Sequence, residues 1–530
     1  MERQFSSSCG VLLLIFAGAF SLANGGKLLV VPVDGSPWLS MILLLERLAQ
    51  NGHQVVVMTP DGSMTMDRSK LFVTKLYPIS FTKEEIHKVL HKFAGYHFLK
   101  QSSLGVVFTM YNSMVELFHM FHSMCESLIL NKQLIEYIEE EKFDAVLTDP
   151  FVPCGVIIAE YLQIPSINFL RGIPCNYDYI SAQCASPISY VPKPFSQYSD
   201  KMDFSQRVMN FLIQFVEPYF CSGIYVPFNH LASQFLQKEV TFLQLLSRTS
   251  VWLLRYDFVF EYPRPVMPNM VFIGGINCSL KKKPLTKEFE KIVNGSGEHG
   301  FVVFSMGSMV SEIPMNNAMD LAEALGGIPQ TVLWRYTGTP PSNLPENVHL
   351  VKWLPQNDLL AHPKARAFIS HAGSHGIYEG ICNAVPMVML PLFGDQMDNA
   401  KRIESRGAGI TINVLNLIPD DLTKALNEVI LNPSYKENVQ RLSSLHLDRP
   451  IEPLDLAVHW VEFVMRHKGA PHLRPAAHDL NWIQYHSLDV IGFLLAVLLT
   501  TLFITLKFCA FCCRCCCRVG SRKKSKPKSE

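Results

Sequence analysis

The sequence predicts an α/β protein of two similar halves, each built on a parallel sheet, with one membrane-spanning helix near the C-terminus. Three observations lead to this prediction. Short apolar runs alternate with helical patterns twice along the chain, a polar segment ending in proline separates the two series, and 17 uncharged residues precede a basic tail. Hydrophobic residues form 48% of the 530 positions, which excludes a disordered chain.

The first half opens with a strand, a helix and a second strand, which is the order of a βαβ unit with buried parallel strands. The same order returns further along the chain. The predicted elements are a strand at Lys27–Val33, a helix at Leu39–Gln50, strands at Gln54–Met58 and Phe143–Leu147, a helix that ends at Tyr161 and a strand at Ile167–Leu170.

The second half follows the polar segment Asn277–Pro284 and again contains short apolar runs, most of them followed by a helical pattern. The predicted strands are Phe301–Phe304, Thr331–Trp334, Val348–Val351, Ala367–Ser370 and Met387–Leu390. We expect the two halves to face each other across a cleft, with ligands at the carboxyl ends of the strands.

Both ends of the chain carry membrane signals. Residues 1–25 contain a short apolar stretch followed by small residues, which predicts a cleaved signal peptide; a first membrane helix is the alternative. The uncharged run Val490–Leu506 predicts a single membrane span. Eight basic residues and one acidic residue give residues 507–530 a net charge of +7, which predicts a cytosolic tail and a lumenal body, the type I orientation. Lys526 and Lys528 resemble an endoplasmic reticulum retrieval signal, with a basic stop-transfer cluster as the alternative.

Charge and cysteine usage narrow the class of protein. The total charge of +1 leaves −6 outside the tail, which excludes a nucleic-acid-binding protein. Seven of the fourteen cysteines lie in the body, from Cys125 to Cys382; an odd number so widely spaced does not predict a disulfide framework, and at least one must lack a partner there. Asn277 and Asn294 begin sequons, which are used in some proteins and unused in others.

Two glycine-containing junctions predict an anion-binding site. Gly307-Ser308 follows one predicted strand, and His371-Ala-Gly-Ser-His-Gly376 follows another and opens a helix. Backbone N–H groups at such junctions bind phosphate, and His371 adds a side-chain donor. Neither junction has the spacing of a Walker or dinucleotide-binding motif, so the prediction rests on the two together.

Further polar and aromatic side chains near these junctions predict a nucleotide-sugar site, since they offer a ring, amides and carboxylates. They are Trp353, Gln356, Glu379, Asp395 and Gln396. Glu379 comes about two helical turns after His371, which predicts that both lie on the same face of one helix. Taken singly, each has a structural explanation: Trp353 as a core residue, Glu379 as a solvated helix face and Asp395 as a turn cap.

The 44-residue segment Trp353–Gln396 resembles the donor signature of UDP-glycosyltransferases, and most of the chain resembles the first family of vertebrate UDP-glucuronosyltransferases. The resemblance implies the GT-B fold, in which two Rossmann-like domains face a cleft. It also implies transfer of glucuronic acid from UDP-glucuronate to small lipophilic acceptors in the endoplasmic reticulum. The implied organisation is an acceptor-binding domain at 26–280, a UDP-sugar-binding domain at 281–440, a crossing helical segment at 441–489, a membrane helix at 490–506 and a basic tail at 507–530.

The resemblance implies a role for each donor-site residue. Trp353 stacks on the uracil beside the amide of Gln356, Glu379 binds the ribose, Ser308 and His371 bind the diphosphate, and Asp395 and Gln396 bind the sugar. Arg255 matches the partner of the glucuronate carboxylate, with a structural salt bridge as the alternative. No metal cofactor is expected, and the resemblance leaves open homo- or hetero-oligomers with related transferases.

One position departs from the family pattern. The family has a histidine, the catalytic base, where this chain has Pro37, whereas the partner carboxylate is present as Asp149. Proline cannot accept a proton and a tertiary amine has none to lose, so we expect a preference for amine acceptors over phenols. The alternatives are a lumenal lipid-binding or receptor-like protein that has lost catalysis, and a transferase that uses another UDP-sugar.

Overall fold

The structure is a computed structural model, and it describes residues 25–63, 65–66, 69–95, 103–278, 282–308 and 310–521. Nearly all of the predicted signal segment, 1–25, lies outside these residues, as do Lys526 and Lys528. The chain divides into two units at the boundary between Leu473 and Arg474.

The first half of the larger unit is built on a parallel sheet that has seven strands among the described residues. The strands are β1 (Lys27–Val31), β2 (Gln54–Pro60), β3 (Val73–Tyr77), β4 (Ala145–Thr148), β5 (Ser166–Leu170), β6 (Val251–Leu254) and β7 (Met270–Phe272). They lie in the order β3-β2-β1-β4-β5-β6-β7. The helices of this half are α1 (Ser36–Gln50), α2 (Lys83–Gly95), α3 (Ser103–Ile129), α4 (Lys132–Glu141), α5 (Cys154–Leu162), α6 (Tyr177–Ser181), α7 (Phe204–Leu236) and α8 (Phe242–Leu246).

The second half has a parallel sheet of six strands within the described ranges, in the order β10-β9-β8-β11-β12-β13. The strands are β8 (Phe301–Ser305), β9 (Thr331–Arg335), β10 (Val348–Val351), β11 (Ala365–Ser370), β12 (Met387–Met389) and β13 (Gly409–Thr411). The helices are α9 (Lys287–Gly295), α10 (Met315–Gly326), α11 (Gln356–Leu360), α12 (Ser374–Cys382), α13 (Gln396–Ser405), α14 (Pro419–Leu431) and α15 (Pro433–Leu447). Short 3₁₀ turns occupy Pro174–Asn176, Val414–Asn416, Pro471–Leu473 and Ala476–Asp479.

The parallel strands are apolar along their length because helices cover both faces of each sheet. On β1, Leu29 points into the core on one face of the sheet, and Leu28 and Val30 point into the core on the other. The predicted α/β architecture of two halves is confirmed, and every predicted strand is present with its ends moved by at most two residues. Short strands such as β6 and β7 were not predicted, since so few residues carry little periodicity.

The chain returns to the first half after completing the second. Helix α16 (Pro453–His467) buries Ala457, Val461 and Val464 in the same core as Trp38 of α1. Its exposed side adds an ion pair of 2.7 Å between Asp455 and Arg47 of α1. Residues 453–467 therefore tie the two halves together.

The expectation that the body has no disulfide framework is wrong for the described residues, whereas the expectation that at least one body cysteine lacks a partner is confirmed. Three disulfides pair Cys125 with Cys154, Cys175 with Cys221, and Cys278 with Cys382, and leave Cys184 buried and unpaired. Partners lie 29, 46 and 104 residues apart, and helix packing brings them together, so spacing alone did not reveal them.

The two sequons differ in exposure. Asn277 is 3% exposed and its side-chain amide donates to the backbone carbonyl of His375 at 3.5 Å, so the fold does not fit a glycan there. Asn294 is exposed near the C-terminal end of α9 and stays a predicted glycosylation site.

The smaller unit contains the short helix α17 (Trp482–Tyr485) and the long helix α18 (Leu488–Ser521). Its segment Leu488–Cys516 is 29 residues long, and is long and apolar enough to cross a membrane. The predicted run Val490–Leu506 thus forms part of a longer helix, because the cysteine-rich start of the tail remains helical.

Candidate active site

A cleft of about 630 Å³ lies in the larger unit at the carboxyl ends of strands from both sheets. Every residue that the sequence proposed for the reaction or for donor binding lines this cleft: Pro37, Asp149, Arg255, Ser308, Trp353, Gln356, His371, Glu379, Asp395 and Gln396. The two parallel sheets bring them together because residues that follow parallel strands meet at one edge.

The two glycine junctions pack against the ring of His371. A Cβ built on Gly307, whose φ is 85°, would lie 2.5 Å from Cε1 of that ring. A Cβ on Gly373 would also collide with the ring. Glycine is therefore needed at both junctions so that the imidazole can lie between them.

His371 is an uncharged side chain at neutral pH. Burial, with Arg335 and His375 nearby, lowers its pKa to about 4, although Asp395 acts in the opposite direction. Its Nδ1 is buried without a hydrogen-bond partner among the described residues. A neutral imidazole can still donate one N–H to an anion.

The predicted shared helix face of His371 and Glu379 is wrong. Helix α12 begins at Ser374, so His371 lies in the loop after β11 and Glu379 lies in the second turn of the helix. Both side chains reach the cleft because the loop turns at Ala372, whose φ is 64°, before the helix begins.

The end of the cleft where the nucleotide is expected joins an exposed ring to a buried carboxylate. Trp353 is 63% exposed, so it is not a core residue, and the guanidinium of Arg335 lies 5.4 Å from its ring centroid. Glu379 is only 6% exposed, so it is not a solvated helix face, and it accepts a hydrogen bond from Nε2 of Gln356. His375 Nε2 lies 3.6 Å from the same carboxylate.

Asp395 lies at the N-terminus of α13 and is held from both halves. Its Oδ2 accepts from Asn399 Nδ2 at 2.8 Å and lies 3.4 Å from Arg171 Nε. It makes no side-chain hydrogen bond to the start of its own helix, so it does not act as a helix cap.

Gln396 uses its carbonyl to shape the neighbouring loop. Its Oε1 accepts from the backbone N–H groups of Leu392 at 2.8 Å and Phe393 at 3.1 Å. The side chain thus fixes the turn at Gly394, whose φ is 63°, and sets the position of Asp395.

Four arginines of the cleft were missed by sequence reasoning, and two of them, Arg335 and Arg171, support predicted site residues. Arg335 ends β9 and donates to the backbone carbonyls of Gly307 and Ser308, and so supports the first glycine junction. Arg171 follows β5, pairs with Glu261 and donates to Asn399 at 2.9 Å. A charged residue at the carboxyl end of a buried strand was the available signal.

Asp149 follows β4 and is 3% exposed. Burial raises its pKa to about 6, while the N–H of Phe151, which donates to Oδ1 at 3.0 Å, and nearby Arg255 act in the opposite direction. Asp149 therefore changes its charge in the pH range just below neutral.

Arg255 follows β6 and is buried. Its Nη1 donates to Ser40 Oγ at 3.3 Å, and its Nε is without a hydrogen-bond partner among the described residues. No described carboxylate lies within 4.0 Å of its guanidinium, so the alternative of a structural salt bridge is not supported. Burial lowers the pKa of Arg255.

Pro37 lies in the first turn of α1, where the missing N–H is not needed by the helix. The preceding loop is fixed by Asp34, which accepts from the N–H of Gly35 at 2.8 Å and from Ser63 Oγ at 3.0 Å. Position 37 thus presents an apolar ring to the cleft, in the same wall as Asp149.

The rest of the first-half wall, where the acceptor is expected, is mainly apolar, although Asp178, Lys193 and Arg264 also line it; we term it the acceptor wall. Phe93 lies on α2, and Met114, Leu117 and Phe121 lie on α3.

These features define a glycosyltransferase of the GT-B class: two Rossmann-like halves, a cleft at the strand ends and, lining it, the residues predicted to bind the donor. Os79 from O. sativa in complex with UDP has the same fold, with a TM-score of 0.56 at 16% identity over 83% of this chain and 100% of that chain. The chain belongs to the family described as UDP-glucoronosyl and UDP-glucosyl transferase, which matches residues 26–523.

Curated relatives cover nearly the whole chain. It is 58% identical to UDP-glucuronosyltransferase 1A1 of Rattus norvegicus over 496 residues, 93% of this chain and 92% of the relative. It is also 58% identical to UDP-glucuronosyltransferase 1A6 of Homo sapiens over 489 residues, 91% of this chain and 92% of the relative. The chain is therefore a transferase enzyme of the UDP-sugar-dependent family.

Proposed function

We propose that this enzyme transfers glucuronic acid from UDP-glucuronate, with inversion at the anomeric carbon, to small lipophilic acceptors, and that it favours amines. The observation that carries the choice of donor is the guanidinium of Arg255, which is buried in the cleft wall with no described carboxylate in salt-bridge contact, although Asp149 and Asp395 act on it from further away. Burying a cation without a directly bound counter-ion is costly, and a planar carboxylate is its best partner. The names of the relatives support the same donor.

We assign the remaining donor contacts by position along the cleft. The exposed ring of Trp353 is available to stack on uracil, and Glu379, oriented by Gln356, accepts hydrogen bonds from the ribose. His371 and the N–H groups of the two glycine junctions bind the diphosphate. Asp395 and Gln396 face the sugar.

A neutral sugar fits the site less well. UDP-glucose would place a hydroxymethyl group where UDP-glucuronate places a carboxylate, and the guanidinium of Arg255 would gain no direct ion pair. The receptor-like alternative is set aside because the chain belongs to a transferase family. We propose that the reaction needs no metal, since His371, Arg335 and backbone N–H groups supply positive ends at the diphosphate.

The preference for amines follows from what the acceptor must lose. A phenol sheds a proton as its oxygen attacks the anomeric carbon, and Pro37 cannot accept that proton. A tertiary amine attacks with its lone pair: the new C–N bond forms, the bond to the diphosphate breaks, and UDP takes the electron pair. The product is a cation, and ionised Asp149 balances its charge.

Asp149 is also the competing candidate for a base. With a pKa of about 6 it is largely ionised at neutral pH, so it can accept a proton from an acidic acceptor such as a phenol. That reaction would make the enzyme a transferase to phenols despite Pro37.

We place the enzyme in the endoplasmic reticulum membrane with a lumenal catalytic unit. The apolar helix segment Leu488–Cys516 supports membrane anchoring. Protease added to sealed microsomes should shorten the protein only by its tail, and digestion of the catalytic unit without detergent would reject this orientation. Self-association, or association with related transferases, is testable in the same membranes by crosslinking.

The donor is tested by supplying microsomes with labelled UDP-glucuronate or UDP-glucose and a panel of amines and phenols. Wild type should use UDP-glucuronate. Arg255→Leu should lose about tenfold or more of kcat/KM for UDP-glucuronate, because a charge-assisted contact worth roughly 1.5–3 kcal/mol is removed. It should keep its affinity for UDP.

Arg255→Lys is the matched control, since it keeps the charge but lacks the planar fork, and its loss should be intermediate. Equal use of both donors by wild type, or unchanged UDP-glucuronate kinetics in Arg255→Leu, would reject the proposed donor.

A further inference from the structure

Residues 192–198 of the first half form a short segment beside the acceptor wall; we term it the strap. Its residues 192–195 and 198 line the cleft, whereas Gln197 is exposed and does not line it. Pro194 and Phe195 of the strap line the cleft. Its base is fixed to α7, because the side chain of Asn210 accepts from the N–H of Lys193 at 2.7 Å. The buried side chain of Lys193 also pairs with partly buried Glu217 at 2.7 Å.

The tip of the strap is held by the other half of the enzyme. The backbone N–H of Phe195 donates to Oδ2 of Asp398 at 2.7 Å, and that of Gln197 donates to Oδ1 at 2.9 Å. Asp398 lies in the first turn of α13, which also carries Gln396 and follows Asp395. One helical turn therefore faces both the donor sugar and the acceptor wall.

The backbone of the tip is shaped for this contact. Phe195 and Gln197 have φ angles of 66° and 58°, in the left-handed region that is unfavourable for residues other than glycine. Alternating right- and left-handed residues point N–H groups i and i+2 to one side and form an anion-binding concavity. The carboxylate of Asp398 fills that concavity and offsets the cost of the unusual backbone.

We propose that Asp398 is a positioning residue that locks the strap onto the donor helix and closes the acceptor side of the cleft. The proposal rests on the proposed function above. While the contact holds, Phe195 stays against the acceptor and water is kept from the anomeric carbon. A donor sugar that orders the first turn of α13 also orders Asp398, so donor binding favours acceptor binding.

Breaking the contact has two separate consequences. The acceptor binds more weakly because the strap must be ordered on binding. Water then reaches the anomeric carbon of UDP-glucuronate: its oxygen bonds to that carbon, the bond to the diphosphate breaks with the electron pair leaving on UDP, and a proton passes to solvent. The products are UDP and free glucuronic acid.

The test from the donor half is Asp398→Asn, in the full-length enzyme in membranes. The asparagine amide keeps one oxygen that can accept from one of the two strap N–H groups. Its NH₂ group then faces the other N–H without a hydrogen bond, and the negative charge of Asp398 is lost. We expect the KM for acceptor to rise roughly tenfold, as for a lost charge-assisted hydrogen bond. The KM for UDP-glucuronate should change less than about twofold, and UDP should form in excess of glucuronide.

The test from the strap uses two variants of the exposed residue Gln197. Gln197→Pro lacks the N–H and cannot adopt a positive φ, so it should reproduce the kinetics of Asp398→Asn. Gln197→Gly keeps the N–H and favours the observed φ, so it should behave as wild type. Asp421→Asn, which changes an exposed carboxylate on α14, is the control for charge.

Hydrogen exchange gives a measure that does not depend on activity. The amides of Phe195 and Gln197 should be protected in wild type and Gln197→Gly and lose protection in Asp398→Asn. If Asp398→Asn does not fold, the Gln197 pair still decides the question. The proposal would be overturned if Gln197→Pro had an unchanged KM for acceptor and an unchanged ratio of UDP to glucuronide formed. Unprotected amides in wild type would also overturn it. Failure of wild type to transfer glucuronic acid at all would instead overturn the proposed function, with the exchange result still testing the contact.

Discussion

The two walls of the cleft are built in different ways. On the donor wall, polar side chains are oriented by hydrogen bonds, as Glu379 is by Gln356 and Gln396 is by its own loop. On the acceptor wall, apolar side chains come from the consecutive helices α2 and α3 and from the strap. A fixed polar wall selects one donor, whereas an apolar wall accepts many shapes. The class of acceptor is then decided by the few groups that can titrate, Asp149 above all, and by the absence of one at Pro37.

The largest expected effect comes from restoring a base to the acceptor wall. Pro37→His should raise turnover of a phenol by about 10²–10⁴-fold, the usual value of general-base catalysis. The helix N-terminus at position 37 should keep the new imidazole neutral and able to accept a proton. Kinetics with a phenol and a tertiary amine measure the change, and amine turnover should stay level or fall.

The control for that variant is Pro37→Asn, which removes the ring without adding a base. If both variants improve phenol turnover equally, the gain comes from space in the wall and not from proton transfer.

The next effect concerns the donor wall. His371→Ala should lower kcat about 10²–10³-fold, because it removes a donor to the diphosphate charge that grows as the bond breaks. Single-turnover rates with UDP-glucuronate measure this loss. His349→Ala, an exposed histidine on β10, should leave the rate unchanged. Equal rates in His371→Ala and wild type would place the diphosphate elsewhere.

A smaller effect is expected at the ribose end. Glu379→Ala removes a charged acceptor worth roughly 1.5–3 kcal/mol, so UDP should bind about tenfold or more weakly. Calorimetry with UDP measures this directly, without an acceptor. Glu323→Ala, on the exposed side of α10, is the matched control. If Glu379→Ala loses no affinity for UDP, the ribose does not bind this carboxylate.

The smallest effect is a pH dependence of the acceptor wall. Transfer to a weakly basic heteroaromatic amine should fall to half as the pH drops to about 6, because Asp149 becomes protonated and no longer balances the cationic product. Asp149→Asn should be slower and should lack this inflection. A wild-type profile without an inflection near that pH would remove Asp149 from this role.

Stability must be followed in the same pH series. Because the pKa of Asp149 is raised on folding, this group stabilises the fold as the pH falls through about 6. The pKa of His371 is lowered to about 4, so the unfolded chain binds a proton first and stability is lost between its ordinary value of 6.5 and about 4. Thermal melts separate these effects from the loss of activity.

Much of the donor wall could be predicted from the sequence because most of its residues lie in the continuous segment Trp353–Gln396, although Ser308 and Arg255 lie outside it. Trp353 follows a strand and Asp395 precedes a helix, and parallel strands bring such positions to one edge. The structural alternatives for these residues are wrong: Trp353 is exposed and so is not a core residue, and Glu379 is buried and so is not a solvated helix face.

The rest depends on contacts between distant residues. Arg171 and Asp395 are in contact although they lie 224 positions apart in the sequence. Phe195 of the strap and Asp398 lie 203 positions apart. Local periodicity carries no signal for such contacts, nor for the disulfide between Cys278 and Cys382.

The central claim is that the acceptor wall lacks a base at position 37 and therefore suits amines. The most direct test compares wild-type initial rates with a tertiary amine and a phenol of matched size and saturating UDP-glucuronate. The account predicts that the amine is glucuronidated faster than the phenol. Phenol turnover as fast as amine turnover, unimproved by Pro37→His, would contradict it.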